Sequence, residues 1–144
     1  MRQIVVNIAL GTAFGLAGFL IESINNIFKY KRFVYAGDSF LWGIPFLPIY
    51  AIGGLMMHWV LKLTQGSHWA VVIFSAWLTV SVWEFWAGWF CERIMGRRFW
   101  DYRKYGLHIK GYVWVGSLLG WLLLVILYYV FIFEKAMMIE RWLI

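Results

Sequence analysis

The sequence predicts an all-α integral membrane protein: one domain, residues 1–144, of four transmembrane helices. Three observations carry that prediction. Apolar side chains make up 63% of the chain and charged ones 14%, with a mean hydropathy of +0.72, a composition far from that of a water-soluble domain. Four apolar runs, Ile4 to Phe28, Phe40 to Leu63, Trp69 to Met95 and Tyr112 to Phe133, are each long enough to cross a hydrocarbon core about 30 Å thick at about 1.5 Å per residue. The basic side chains, finally, collect between the runs so as to set their direction.

The first run is too long for a secretory leader, and Glu22, Asn25 and Asn26 near its end also argue against one, so it is expected to stay in the mature protein. Gly11, Gly15, Gly18, Glu22 and Asn26 recur every three or four residues and form one strip of small and polar side chains on a helix. In the second run, WGIPFLPIYAIGG, Pro45 and Pro48 lack an amide hydrogen and clash with the preceding turn, so the helix must start late, kink or open there. Carbonyls freed by the prolines need protein or water to cover them, which marks Pro45, Pro48 and Tyr50 as packing or polar-cavity candidates.

The third run repeats the pattern of the first. Ser81, Glu84, Gly88 and Glu92 share a face, and both runs read Ala-Gly-x-x-x-Glu, at residues 17–22 and 87–92, an offset of 70 residues. Two helices with the same direction, each followed by a basic aromatic connection, make a candidate parallel two-helix repeat. The two strips are expected to face each other or a shared cavity, because small residues allow close helix approach and polar ones seek partners there. Glu84 lies near mid-membrane, where an ionised carboxylate facing lipid costs at least about 2.5–3.5 kcal/mol. It must be protonated, paired or wet. Glu22 and Glu92 lie nearer the boundary, within reach of Arg93, Arg97 or Arg98. Cys91 is the one cysteine, so no intrachain disulfide exists.

Charge sets the sides. Of thirteen Lys and Arg, nine lie in or beside the connections after runs one and three, and four (Arg2, Lys62, Lys135, Arg141) lie on the other side. The positive-inside rule then places those connections in the cytoplasm and both termini outside. The second connection, RRFWDYRKYGLHIKG, mixes Arg97, Arg98, Arg103 and Lys104 with Trp100, Tyr102, Tyr105 and the carboxylate of Asp101. Such a mixture suits either a headgroup-phosphate site or a folded anchor at the helix end. His58, His68 and His108 have no metal-site spacing, and neither a phosphate loop nor a nucleophile motif occurs. Nucleic-acid binding does not fit a chain this hydrophobic.

These features resemble a family of small bacterial membrane proteins, the ABC-transporter permeases of type IV. The resemblance rests on Glu22, on Gly37 with Pro45, Pro48, Ile49 and Tyr50, on the Glu-x7-Glu pair Glu84 and Glu92, on Trp100, Asp101 and Tyr102, and on Gly111 with Trp121. The chain departs from the family pattern at Ala36, at His108 and in the placing of Gly43. The resemblance implies a bacterial inner-membrane transport component, and together with the reading of the residues it makes Glu22, Pro45, Pro48, Tyr50, Glu84, Glu92, Arg97, Arg98, Trp100, Asp101, Tyr102 and His108 the candidate ligand-binding residues. No resident cofactor or metal is expected, since no motif for one occurs. Four short helices leave little room for a pathway in one copy, so a homo-oligomer or a partner membrane or ATPase subunit is expected, with membrane lipids as further partners. Two other readings stand beside transport: a lipid-binding or lipid-modifying protein, and a structural or regulatory subunit. No enzyme motif favours catalysis.

Overall fold

A computed structural model describes residues 2–32 and 47–143. Five helices and one short hairpin follow in order: α1 (Arg2–Tyr30), α2 (Pro48–Leu63), α3 (Trp69–Arg93), β1 (His108–Ile109), β2 (Val113–Trp114), α4 (Val115–Phe131) and α5 (Phe133–Leu143). The described chain is thus mainly helical, its strands being two of two residues each. Ala36, Gly37, Gly43 and Pro45 lie outside the described residues.

Two described helices, α1 and α3, are long and apolar enough to cross a membrane. The pair α4 and α5 would make a third if taken as one span, but a 54° bend separates them. The described helix α2 has 16 residues, about 24 Å at 1.5 Å per residue, short of a full crossing. Of the four expected transmembrane helices, two to three candidate spans are therefore present among the described residues.

The boundaries differ from the sequence expectation for local reasons. Pro48 opens α2, the position where a missing amide hydrogen is harmless and a fixed φ suits the helix. The Leu47 carbonyl accepts from the amides of Tyr50 and Ala51, both at 3.1 Å, so it is satisfied by the first turn. Helix α4 starts at Val115 instead of Tyr112 because Val113 and Trp114 pair with the preceding strand. It stops at Phe131, where the run continues as α5 in a new direction.

The chain divides into two compact units, Met1–Leu55 and Met56–Trp142. In the first, the small side chains of α1 receive the start of α2. Gly11, Gly15 and Gly18 are buried, the Leu47 amide donates to the Gly15 carbonyl at 3.1 Å, and the rings of Phe14 and Tyr50 fill the space beside Gly54 and Gly18. In the second, α3 buries Val72, Ala76, Val80, Glu84, Ala87 and Gly88, a stripe at helical spacing. It packs on α4, which buries Trp121, Val125 and Tyr128, and Trp77 Nε1 donates to the Leu118 carbonyl at 2.8 Å. The outward apolar side chains, such as Leu78, Val82, Leu119 and Leu123, need lipid around them.

Candidate functional site

Residues 94–114, between α3 and α4, fold into a closed structure built on backbone contacts. Gly96 turns the chain at φ +67, after the Ile94 amide has closed the last turn of α3 on the Phe90 carbonyl. The hairpin pairs His108 with Trp114 and Ile109 with Val113. Its turn has positive φ at Lys110 and Gly111, and the Tyr112 amide reaches the Ile109 carbonyl at 3.0 Å, as in a type I′ turn. The segment before the hairpin is tied to it twice: the Tyr102 amide donates to the Gly111 carbonyl at 2.9 Å, and Trp100 Nε1 to the Tyr112 carbonyl at 2.8 Å. Gly111 admits no side chain, since a Cβ there would stand 2.6 Å from Arg103 Cγ and 2.8 Å from both Arg98 Nη1 and Asp101 Oδ1.

This fold gathers the expected charges. Arg98 Nη2 is paired with Glu92 of α3, Arg98 Nη1 lies 3.4 Å from Asp101 Oδ1 and 3.2 Å from the Lys110 carbonyl, and the guanidinium sits over the Tyr112 ring at 4.8 Å. Asp101 also accepts from the Arg103 amide at 2.9 Å, from Nε at 2.8 and 3.0 Å and from Nη2 at 2.5 Å. Those Arg103 hydrogen bonds hold the Asp101 carboxyl well below the usual carboxylate range. The Glu92 carboxylate beside its hydroxyl, together with burial, raises the Tyr112 pKa above the ordinary tyrosine value.

Deeper in α3, the Tyr102 hydroxyl donates to Glu84 Oε1 at 3.2 Å. Glu84 is 4% exposed and lies nine residues before Arg93, the last residue of α3, about 14 Å along the axis. A single loop therefore engages both carboxylates of the α3 strip, Glu92 through Arg98 and Glu84 through Tyr102. Beneath it Gly88 lies against Tyr112 and Trp100, whose atoms come within 3.0 and 3.2 Å of where a Cβ would be. A carboxylate in such a place can accept, donate when protonated, or hold a cationic or hydrogen-bonding group. Arg98 and Arg103 are engaged by Glu92 and Asp101, which fits a folded anchor better than an open phosphate cradle.

The remaining expected residues stand elsewhere. Arg97 is exposed, its guanidinium 5.2 Å over the Phe99 ring, and His108 is exposed on β1, its Nδ1 accepting the Gly111 amide at 3.2 Å. Glu22, Pro48 and Tyr50 belong to the first unit, where the Tyr50 hydroxyl donates to Glu22 Oε1 at 2.6 Å. Among the described residues no group of three His, Cys, Asp or Glu side chains could hold a metal ion.

A second buried polar cluster was not expected. His58 and Glu140 are 1% and 2% exposed. Glu140 Oε1 accepts from Lys62 Nζ at 2.6 Å, Glu140 Oε2 lies 3.5 Å from His58 Nε2, and His58 Nδ1 is 2.8 Å from the Tyr128 hydroxyl. The cluster ties α2, α4 and α5 together where the α4–α5 bend begins. The spacing of His58 and Lys62, four apart on α2, gave a common face, but nothing local linked it to Glu140.

A family model described as Putative ABC-transporter type IV matches residues 11–143. No curated protein and no solved structure matches the chain.

Proposed function

The chain belongs to this ABC-transporter type IV family, and on that premise we propose that it is a four-span transport component of the bacterial inner membrane with a polar site around Glu84 and Glu92. The observation that carries the reading is Glu84: a carboxylate buried within a helix long enough to span, reached by a tyrosine from the loop beyond the helix end. Ionisable groups at that depth are expensive and tend to mark sites on which function depends. Burial of Glu84 on the face that carries Gly88 and Glu92 supports a site inside protein, away from lipid.

In this reading the basic connections are cytoplasmic and both termini extracytoplasmic, since nine of the thirteen Lys and Arg lie in or beside those connections. The chain carries no phosphate loop, so the energy source belongs to an ATPase partner, and a complete pathway needs further copies or another membrane subunit.

Affinity purification from native membranes in mild detergent, followed by an ATP-hydrolysis assay, tests this. Retention of an ATP-hydrolysing subunit is the expected result. A chain recovered instead with tightly held phospholipid supports the lipid-binding reading, and one recovered with neither supports a structural subunit.

A further inference from the structure

We propose that the β1–β2 hairpin is a membrane-surface anchor, seating Leu107 and Ile109 at the acyl boundary of the adjacent leaflet while Lys104 and Lys110 meet its anionic phospholipid headgroups. This rests on the reading of α3 as a membrane span.

First, the hairpin exposes apolar side chains. Leu107 is 84% exposed and Ile109 58%, although the loop has a well-filled aromatic interior: Tyr105 and Trp114 are stacked at 4.6 Å, and Tyr102 lies 5.9 Å from Trp114. Second, the backbone that presents them is strained. Leu107 has φ +46, a conformation that bulky L-residues avoid, although Gly106 next to it could take that shape freely. The Leu107 carbonyl nevertheless accepts from the Val115 amide at 3.3 Å, and strand pairing begins at the next residue. The chain thus holds a bulky apolar side chain outward in a conformation that glycine would adopt more readily.

Third, the charge facing outward has one sign. Asp101, the one carboxylate of residues 94–114, is engaged by Arg103 and Arg98, and Glu92 at the helix end by Arg98. With Arg103 and Arg98 offset by those carboxylates, the outward charges of residues 93–114 are basic: Arg93, Arg97, Lys104 and Lys110 are all exposed. Apolar tips flanked by basic side chains with long stems are the pattern of interfacial anchoring to anionic lipid.

Fourth, the position of the loop favours a lipid surface over a soluble acidic partner. Tyr102 reaches Glu84, nine residues back from the end of α3, so the loop lies down along the helix instead of standing off in water. A loop folded back over a spanning helix is set beside the headgroup layer.

The test uses the full chain with Cys91→Ser and Ile109→Cys, carrying an environment-sensitive fluorophore at position 109, in nanodiscs of phosphatidylcholine alone or mixed with phosphatidylglycerol. A second label at Leu107→Cys guards against local disturbance, and a third at Leu78→Cys, on the exposed apolar face of α3, reports on the span itself. With phosphatidylglycerol present, the labels at 109 and 107 should shift to the blue and be quenched by lipid-borne spin labels. Added salt, or Lys104→Glu with Lys110→Glu, should return them to water-like emission. Labels that stay water-exposed in both lipids while position 78 is quenched overturn the anchor and leave the span intact. Shielding that appears only after addition of cytosolic protein overturns it as well. An unquenched label at 78 overturns the span reading and the anchor with it.

Discussion

The Tyr50 hydroxyl donates to Glu22 Oε1 at 2.6 Å, and the ring of that tyrosine occupies the space a Cβ on Gly18 would need. Gly18 and Glu22 are one helical turn apart, so one tyrosine covers both. The second unit repeats the relationship. Tyr112 packs on Gly88, and Glu92, one turn further on, raises the pKa of its hydroxyl. The Ala-Gly-x-x-x-Glu pattern thus describes a gap for a ring and, one turn later, a carboxylate, which in the first unit accepts from that ring's hydroxyl.

Replacing these glycines by alanine should follow the space available. Gly18→Ala drives a methyl into the Tyr50 ring and should destabilise by about 1–3 kcal/mol, the usual effect of overpacking. Gly88→Ala, with neighbours at 3.0–3.2 Å, should be milder. At Gly120 of α4 no atom lies within 4 Å of where the methyl would stand, so Gly120→Ala should stabilise by about 0.5–1 kcal/mol through helix propensity. Thermal melts in detergent check the order.

Gly111→Ala should open the loop. The residue combines φ +76 with a Cβ position crowded by Arg98, Asp101 and Arg103, so the methyl strains the turn and breaks the charge cluster together. Limited trypsin digestion should cut at Arg103 and Lys104 faster than in the parent, while the helices keep their circular-dichroism signal.

Asp101 gives the cluster a pH dependence of known sign. Its carboxyl titrates lower in the folded chain than in the unfolded one, so its stabilisation is complete above the unfolded value, about 3.9, and fades as pH falls from there towards the folded value. The melting difference between the parent and Asp101→Asn should be constant from about pH 5 to 8 and shrink below about pH 4. A difference that grew on acidification would contradict this assignment.

Some of this arrangement was legible in the sequence and some was not. The apolar runs located α1 and α3 because a spanning helix needs length and little else, and the periodic small and acidic residues located the faces of both. Helical spacing could not reveal that Tyr112 ends a hairpin turn, because strands of two residues leave no alternation and the turn takes positive φ at Lys110, where glycine is the usual signal. The break at Ile132 was hidden because no Pro or Gly marks it. The partnership of Glu140 with His58 and Lys62 joins residues about eighty positions apart, and Tyr102 looked like one more interfacial ring until the loop folded back onto Glu84.

The His58, Lys62 and Glu140 cluster should behave as a buried ion pair. Lys62→Met leaves the Glu140 carboxylate without its closest cation and should destabilise by about 3 kcal/mol, the lower end of the range for breaking such a pair, because Lys62 is itself part-exposed. Adding Glu140→Leu removes the stranded charge and should recover most of that loss. A double-mutant cycle on thermal stability measures the coupling.

In the proposed function Glu84 is kept for what its carboxyl does. Glu84→Gln preserves size and an acceptor for the Tyr102 hydroxyl while abolishing titration, whereas Glu84→Ala removes the acceptor and should destabilise by about 1–3 kcal/mol. The decisive measurement pairs a thermal shift in detergent with complementation of a deletion strain for Glu84→Gln. The expected result is a melting temperature close to the parent's together with lost activity. A variant indistinguishable from the parent in both would make Glu84 a packing residue and contradict the proposed role of its carboxyl.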